Sequence, residues 1–225
     1  PNFGLYGEYD TYTKGYIVQM SEVSETAPDL VSGESVGEWV REEIRKLFPP
    51  NYHFKVIVIG APSTGKSAVR YQLTDGYFHK NLRHTEGIDI SEGDFSDYVQ
   101  NGAKIRCTFW EVTEDVDPME RFMYCKDSQG LIVVYDASSP ESLSFVEDFV
   151  GEMNMCFSED FPVLLLANKT DETSNASSET PFPEKARKLA KDRGFLHRRC
   201  SAKRTEEVKS SFADLLEVMI KHQEN

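Results

Sequence analysis

From about residue 54 to residue 222, short apolar runs alternate with longer amphipathic stretches. The runs at 54–59, 104–110, 130–135, 161–167 and 195–200 have strand length and strand-like content, and 94–99 reads as an extra edge strand. Between and after them, residues 66–73, 140–155, 181–193 and 205–222 carry apolar positions at helical spacing. Strands that alternate with helices bury both faces of the sheet, so the expected class is α/β, a mostly parallel six-stranded sheet with helices on both faces. Residues 170–180, rich in Ser, Thr and Asn, read as a solvated loop.

The first fifty residues differ in character. Up to Gly33 they are rich in Gly, Tyr and acidic residues and show no clear period. Ser35-Val36-Gly37-Glu38 then has the form of a capping box, and Val36, Trp39, Val40, Ile44, Leu47 and Phe48 recur at helical spacing until Pro49-Pro50. We therefore expect an N-terminal extension over 1–50 with an amphipathic helix at about 35–48, followed by an α/β domain over 51–225. The apolar stripe of that helix is expected to dock on its own domain or to serve a partner groove.

Composition narrows the function classes. The chain has 225 residues, with 25 Lys and Arg against 38 Asp and Glu, for a formal net charge of -13. So strong an acidic excess argues against a nucleic acid partner held by its phosphate backbone. The longest apolar runs are strand-sized, so no membrane-spanning helix is expected. The four cysteines, Cys107, Cys125, Cys156 and Cys200, are scattered with no C-x-x-C pair. They read as reduced core residues of a cytoplasmic protein.

One motif carries most of the chemistry. Gly60-Ala61-Pro62-Ser63-Thr64-Gly65-Lys66-Ser67 is a complete G-x-x-x-x-G-K-S that follows a buried-type strand and opens a helix. Backbone N–H groups from Gly60, Ser63, Thr64, Gly65 and the helix start at Ala68 are placed to wrap a phosphate chain. Lys66 reaches the outer phosphates, and the Ser67 hydroxyl is a Mg²⁺ ligand. Downstream, the strand at 161–167 runs into Asn168-Lys169-Thr170-Asp171, an N-K-x-D. A carboxylate with two adjacent acceptors fits the ring N–H and exocyclic amine of guanine, and adenine presents the wrong pattern. Ser201-Ala202-Lys203 follows the last strand, where a backbone N–H is expected to donate to the guanine oxygen.

These motifs, in this order, resemble the Ras-like small GTPases and within them the Rab and Rab-like branch, over about residues 54–222. The resemblance implies a P-loop small G domain that binds GTP and GDP with Mg²⁺. It puts the Mg²⁺-binding threonine of the first switch on Thr85, within Thr85-Glu86-Gly87-Ile88-Asp89, and the aromatic beside the guanine ring on Phe78. Ser128-Gln129-Gly130-Leu131-Ile132-Val133-Val134-Tyr135-Asp136 is similar to the central strand of the family.

The second switch departs from the pattern. Where the family has D-T-A-G-Q-E, this chain reads Glu111-Val112-Thr113-Glu114-Asp115-Val116. Glu111 then stands for the Mg²⁺-side carboxylate, acting directly or through water, and Asp115 falls at the catalytic glutamine position. Pro62 also removes one N–H from the phosphate loop. The expectation is a guanine-nucleotide-binding regulatory protein with slow or impaired GTP hydrolysis. The alternative is a pseudo-GTPase interaction module that holds nucleotide structurally or not at all. Expected partners are protein effectors or regulators that meet the switch regions and the N-terminal helix. Residues 221–225 contain no cysteine, so no direct lipid anchor is expected, and the chain is expected to be cytoplasmic, reaching membranes through a partner.

Overall fold

The computed structural model describes residues 3–10, 15–22, 52–98, 103–153, 157–158, 160–172 and 182–224. Two compact units divide between Asn51 and Tyr52. In the first, β1 (Phe3–Asp10) and β2 (Gly15–Glu22) form an antiparallel hairpin with Phe3 opposite Glu22 and Asp10 opposite Gly15. The sequence pattern predicts no element in this segment, because Gly4, Gly7 and Gly15 dilute the strand signal. The expected helix at 35–48 lies outside the described residues.

The second unit holds β3 (Tyr52–Ile59), α1 (Lys66–Thr74), β4 (Ile88–Asp94), β5 (Ile105–Val112), α2 (Pro118–Cys125) and β6 (Gly130–Asp136). It continues with α3 (Pro140–Met153), β7 (Val163–Asn168), α4 (Phe182–Arg193), β8 (Leu196–Arg199) and α5 (Thr205–Glu224). The six strands lie in the order β4-β5-β3-β6-β7-β8. Only β4 is antiparallel to its neighbour.

Strand alternation sorts the core into two layers. Phe54, Val56 and Val58 of β3, Ile132 and Val134 of β6, and Leu164 and Leu166 of β7 face α1 and α5, where Val69, Phe212, Leu215 and Leu216 meet them. Ile57 and Ile59, Leu131 and Val133, and Val163 and Leu165 face the other way, onto Val146 and Val150 of α3 and Ala186 and Ala190 of α4. The three central strands are apolar on both faces because both are covered.

Two elements differ from the sequence expectation. The edge strand is Ile88–Asp94, before the expected 94–99, and Ser96–Tyr98 forms a single 3₁₀ turn. Acidic residues within β4 masked its alternation, and charge on an edge strand is tolerated because one side lacks a neighbour. The expectation also left out α2. Its start was legible: Asp117 caps it, accepting from Met119 N at 2.8 Å, with Pro118 in the first turn and Glu120 three residues after the cap.

The chain leaves β3 toward β5 on one side and β6 on the other, so the sheet order reverses beside the carboxyl end of β3. Open α/β sheets place their ligand crevice at such a reversal. Residues 60–66 lie there.

Candidate functional site

The loop from Gly60 to Gly65 is shaped by backbone requirements. A Cβ on Gly60 would lie 2.0 Å from Val134 O, so only glycine lets the loop cross β6. Gly65, at φ 91°, is the N-cap of α1 and offers no side-chain cap, and the first turn of the helix carries no acidic residue. The amide groups that open α1 are thus free of a competing side chain, and the helix dipole adds to their pull on an anion.

Around this loop lies a cleft of about 250 Å³ lined by Ser63, Gly65, Lys66, Ser67 and Ala68 from the loop and α1, by residues 82–85, and by Glu111 and Thr113 from the end of β5. The Ser67 hydroxyl donates to Glu111 Oε1 at 2.6 Å and lies 3.2 Å from Thr85 Oγ1. An oxygen-only set of two hydroxyls and a carboxylate suits Mg²⁺, which takes few protein ligands and leaves its remaining positions to water and phosphate. The residues present therefore fit that ion. Among the described residues no group of three His, Cys, Asp or Glu could hold a metal.

Two ion pairs made by cleft residues were not foreseen. Glu111 accepts from Arg70 Nε at 2.9 Å, and each side chain is only 1% exposed. Arg70 reaches Asp89 of β4 with a terminal guanidinium nitrogen, Nη2. The second pair joins Lys66 Nζ to Glu114 Oε2 at 3.2 Å. Lys66 also donates to Gly60 O at 2.9 Å and Ala61 O at 3.0 Å, so its three protons all have acceptors. The signal for Arg70 lay in its spacing, since it stands four residues after Lys66 and three after Ser67, on the same helical face.

Asp115 is turned to its own loop. Its carboxylate meets the Thr113 hydroxyl, a contact that holds it below the ordinary carboxylate range, and it does not line the cleft.

The base-reading residues gather on the other side of the loop. Asn168 is 1% exposed, donates from Nδ2 to Thr64 O at 2.9 Å, and accepts at Oδ1 from Ala202 N at 2.9 Å. It therefore staples the phosphate loop to the segment 201–203. Lys169, at φ 62°, sends its ammonium to Asp136 Oδ2 at 2.7 Å. Burial pushes the Asp136 carboxyl up, but the bonds from Lys169 and Ser138 outweigh it and hold the group low. Asp171 meets Lys203 Nζ at 2.6 Å. The hydrogen bonds from Lys203 and Ser201 keep it below the usual carboxylate range, and hence a pure acceptor.

The backbone N–H groups of residues 201–203 each have a partner within the protein. Ser201 N donates to Glu207, Ala202 N to Asn168 and Lys203 N to Ser201 Oγ. Phe78 packs on the core layer beneath α1 and α5, the layer that also contains Ala68 and Ala202.

Comparison with known proteins agrees in extent with this geometry. A profile of the Ras family matches residues 55–221. The Ras-related protein Rab-4 of Dictyostelium discoideum is 31% identical over 169 residues, which cover 72% of this chain and 77% of that protein. The Ras-related protein Rab-10 of Caenorhabditis elegans is 27% identical over 177 residues, 76% of this chain and 83% of that protein. The human Ras-related protein Rab-3A is 28% identical over 174 residues, 75% and 74% of the two chains.

Proposed function

Because the chain belongs to the Ras family, in its Rab-like branch, we propose that it is a guanine-nucleotide-binding regulatory protein with slow or impaired GTP hydrolysis. The observation that carries the reading is the staple made by Asn168, which ties the phosphate loop at Thr64 to the segment beside Asp171. One side chain thus fixes the spacing between a phosphate cradle and a guanine reader.

In this reading the amides of Ser63 to Ala68 and the ammonium of Lys66 hold the phosphates. The ionised Asp171 accepts from the guanine ring N–H and amine. Lys203 and Lys169 keep that edge in place through Asp171 and Asp136. Ser67, Thr85 and Glu111 would hold Mg²⁺, which supplies charge neutralisation at the phosphate oxygens. Hydrolysis is impaired because Asp115 is bonded to Thr113 and has no amide to orient water.

Among the described residues no helix is long and apolar enough to cross a membrane. Any membrane association of this protein is proposed to be peripheral and through a partner, with effectors or regulators meeting the switch segments and the amphipathic stretch at 35–48.

The test is direct. Release any ligand from the purified protein by denaturation, identify it by chromatography, and titrate the stripped protein with GDP, GTP and ATP. Guanine nucleotides are expected to bind and ATP to be rejected. No guanine-nucleotide binding at millimolar concentration would overturn the proposal.

A further inference from the structure

The lysine of a phosphate loop reaches the β- and γ-phosphates. In Lys66 every proton already has an acceptor. Two of its protons go to the loop carbonyls of Gly60 and Ala61, and the third goes to the carboxylate of Glu114. Glu114 is no mobile surface side chain that happened to fall here, for its side chain is only 19% exposed.

Its backbone is also fastened on both sides. Before it, Thr113 N and Thr113 Oγ1 lie 3.0 and 2.8 Å from Gly87 O. After it, the guanidinium of Arg121, itself buried, donates to Glu114 O at 3.1 Å and to Val116 O at 3.0 Å. The loop holds an anion against the lysine.

We propose that Glu114 makes this site selective for guanosine diphosphate over guanosine triphosphate, by occupying the end of Lys66 that a third phosphate would need. The inference rests on the guanine-nucleotide reading and specifies which nucleotide that site retains. A diphosphate fills the cradle of amides at the start of α1, draws a Lys66 proton away from the loop carbonyls of Gly60 and Ala61, and leaves the Lys66–Glu114 pair in place. A triphosphate must bring its terminal charge beside a carboxylate, or push Glu114 away and break the bonds that fasten its loop. Both costs fall on the triphosphate alone, so the discrimination is repulsive. The carboxylate that lines the cleft, Glu111, is neutralised by Arg70, and Glu114 is the acidic group paired with the lysine.

The experiment uses the full chain stripped of nucleotide, in magnesium-containing buffer, with affinities for GDP and GTP measured by competition against a fluorescent guanine nucleotide. The parent, Glu114→Gln and Glu114→Gly are compared. Glutamine keeps the size and the backbone bonds to Arg121 while removing the charge, which separates repulsion from a fault in folding. The parent is expected to bind GDP at least about tenfold tighter than GTP. Both variants are expected to bring the ratio within about threefold by strengthening GTP, with GDP little changed. If the parent binds both nucleotides equally, the inference fails while the proposed function stands. If Glu114→Gln leaves the preference intact, or weakens both nucleotides together, Glu114 is structural and the inference fails. If the parent binds no guanine nucleotide, the proposed function fails and this inference with it.

Discussion

Replacing Arg70 by methionine is expected to lower the stability of the nucleotide-free domain far more than removing a charge from the surface of the same fold. Arg70 and Glu111 are each 1% exposed and joined at 2.9 Å, so deleting the guanidinium leaves a carboxylate buried without its counter-charge. The loss for breaking such a pair is about 3–5 kcal/mol. For a domain of this size that is roughly a 6–20 °C fall in melting temperature. Asp89, 39% exposed, is screened by water and adds little.

The assay is urea unfolding followed by circular dichroism, with a chelator present so that no divalent cation replaces the lost charge. Arg198→Met is the control. Its partner Asp214 and its own side chain are 41% and 44% exposed, and its loss should be below about 1 kcal/mol. The double change Arg70→Met with Glu111→Leu should recover most of the stability, because an apolar pair of similar volume needs no desolvated charge. A loss below about 1 kcal/mol for Arg70→Met, or no recovery in the double change, would refute the reasoning.

Asp171→Asn exchanges one of two acceptors for a donor and is expected to weaken GDP by about 10- to 100-fold while narrowing the gap to ADP, measured by competition binding. Single-turnover GTP hydrolysis by the unmodified protein is expected to stay below about 10⁻⁴ per second, with a clear gain in the triple change Glu111→Asp, Glu114→Gly and Asp115→Gln; an ordinary small-GTPase rate in the parent would count against the impaired switch. His197, bonded to Tyr135 at 2.9 Å, has its pKa lowered by burial and by Arg187, Arg199 and Arg198. The folded state therefore holds fewer protons than the unfolded one, so this contribution is complete above about pH 6.5 and is lost as pH falls below it. Melting temperatures at pH 7.5 and 5.5 should differ less in His197→Gln than in the parent.

The central sheet was legible because its strands must be apolar on both faces, and β3, β6 and β7 leave no other reading of their runs. The phosphate loop was legible because its chemistry is local: the fold brings Gly60, Gly65, Lys66 and Ser67 together through eight consecutive residues. The ion pairs were not legible, since Lys66 and Glu114 are 48 residues apart and Arg70 and Glu111 are 41 apart. Sequence shows that Glu114 replaces a glycine of the family pattern, but not that its carboxylate finds a lysine. The partners of the amides at 201–203 were hidden for a similar reason. Ser201 N turns to Glu207 and Ala202 N to Asn168, partners that the short motif does not contain.

The guanidinium of Arg121 reaches back from α2 to two carbonyls of the preceding loop and forward to Glu152 of α3 at 3.3 Å. A regulatory surface carries information only if it has at least two shapes and the ligand chooses between them. Riveted to a neighbouring helix, and with the proposed diphosphate asking nothing of it, this loop is expected to keep one shape. A protein that docks on it would then count molecules rather than read their state, in the manner of a receptor for a fixed epitope. Whatever message a diphosphate sends must originate in another segment, and amide hydrogen exchange across residues 113–121 is expected to be the same with GDP bound and with the nucleotide removed.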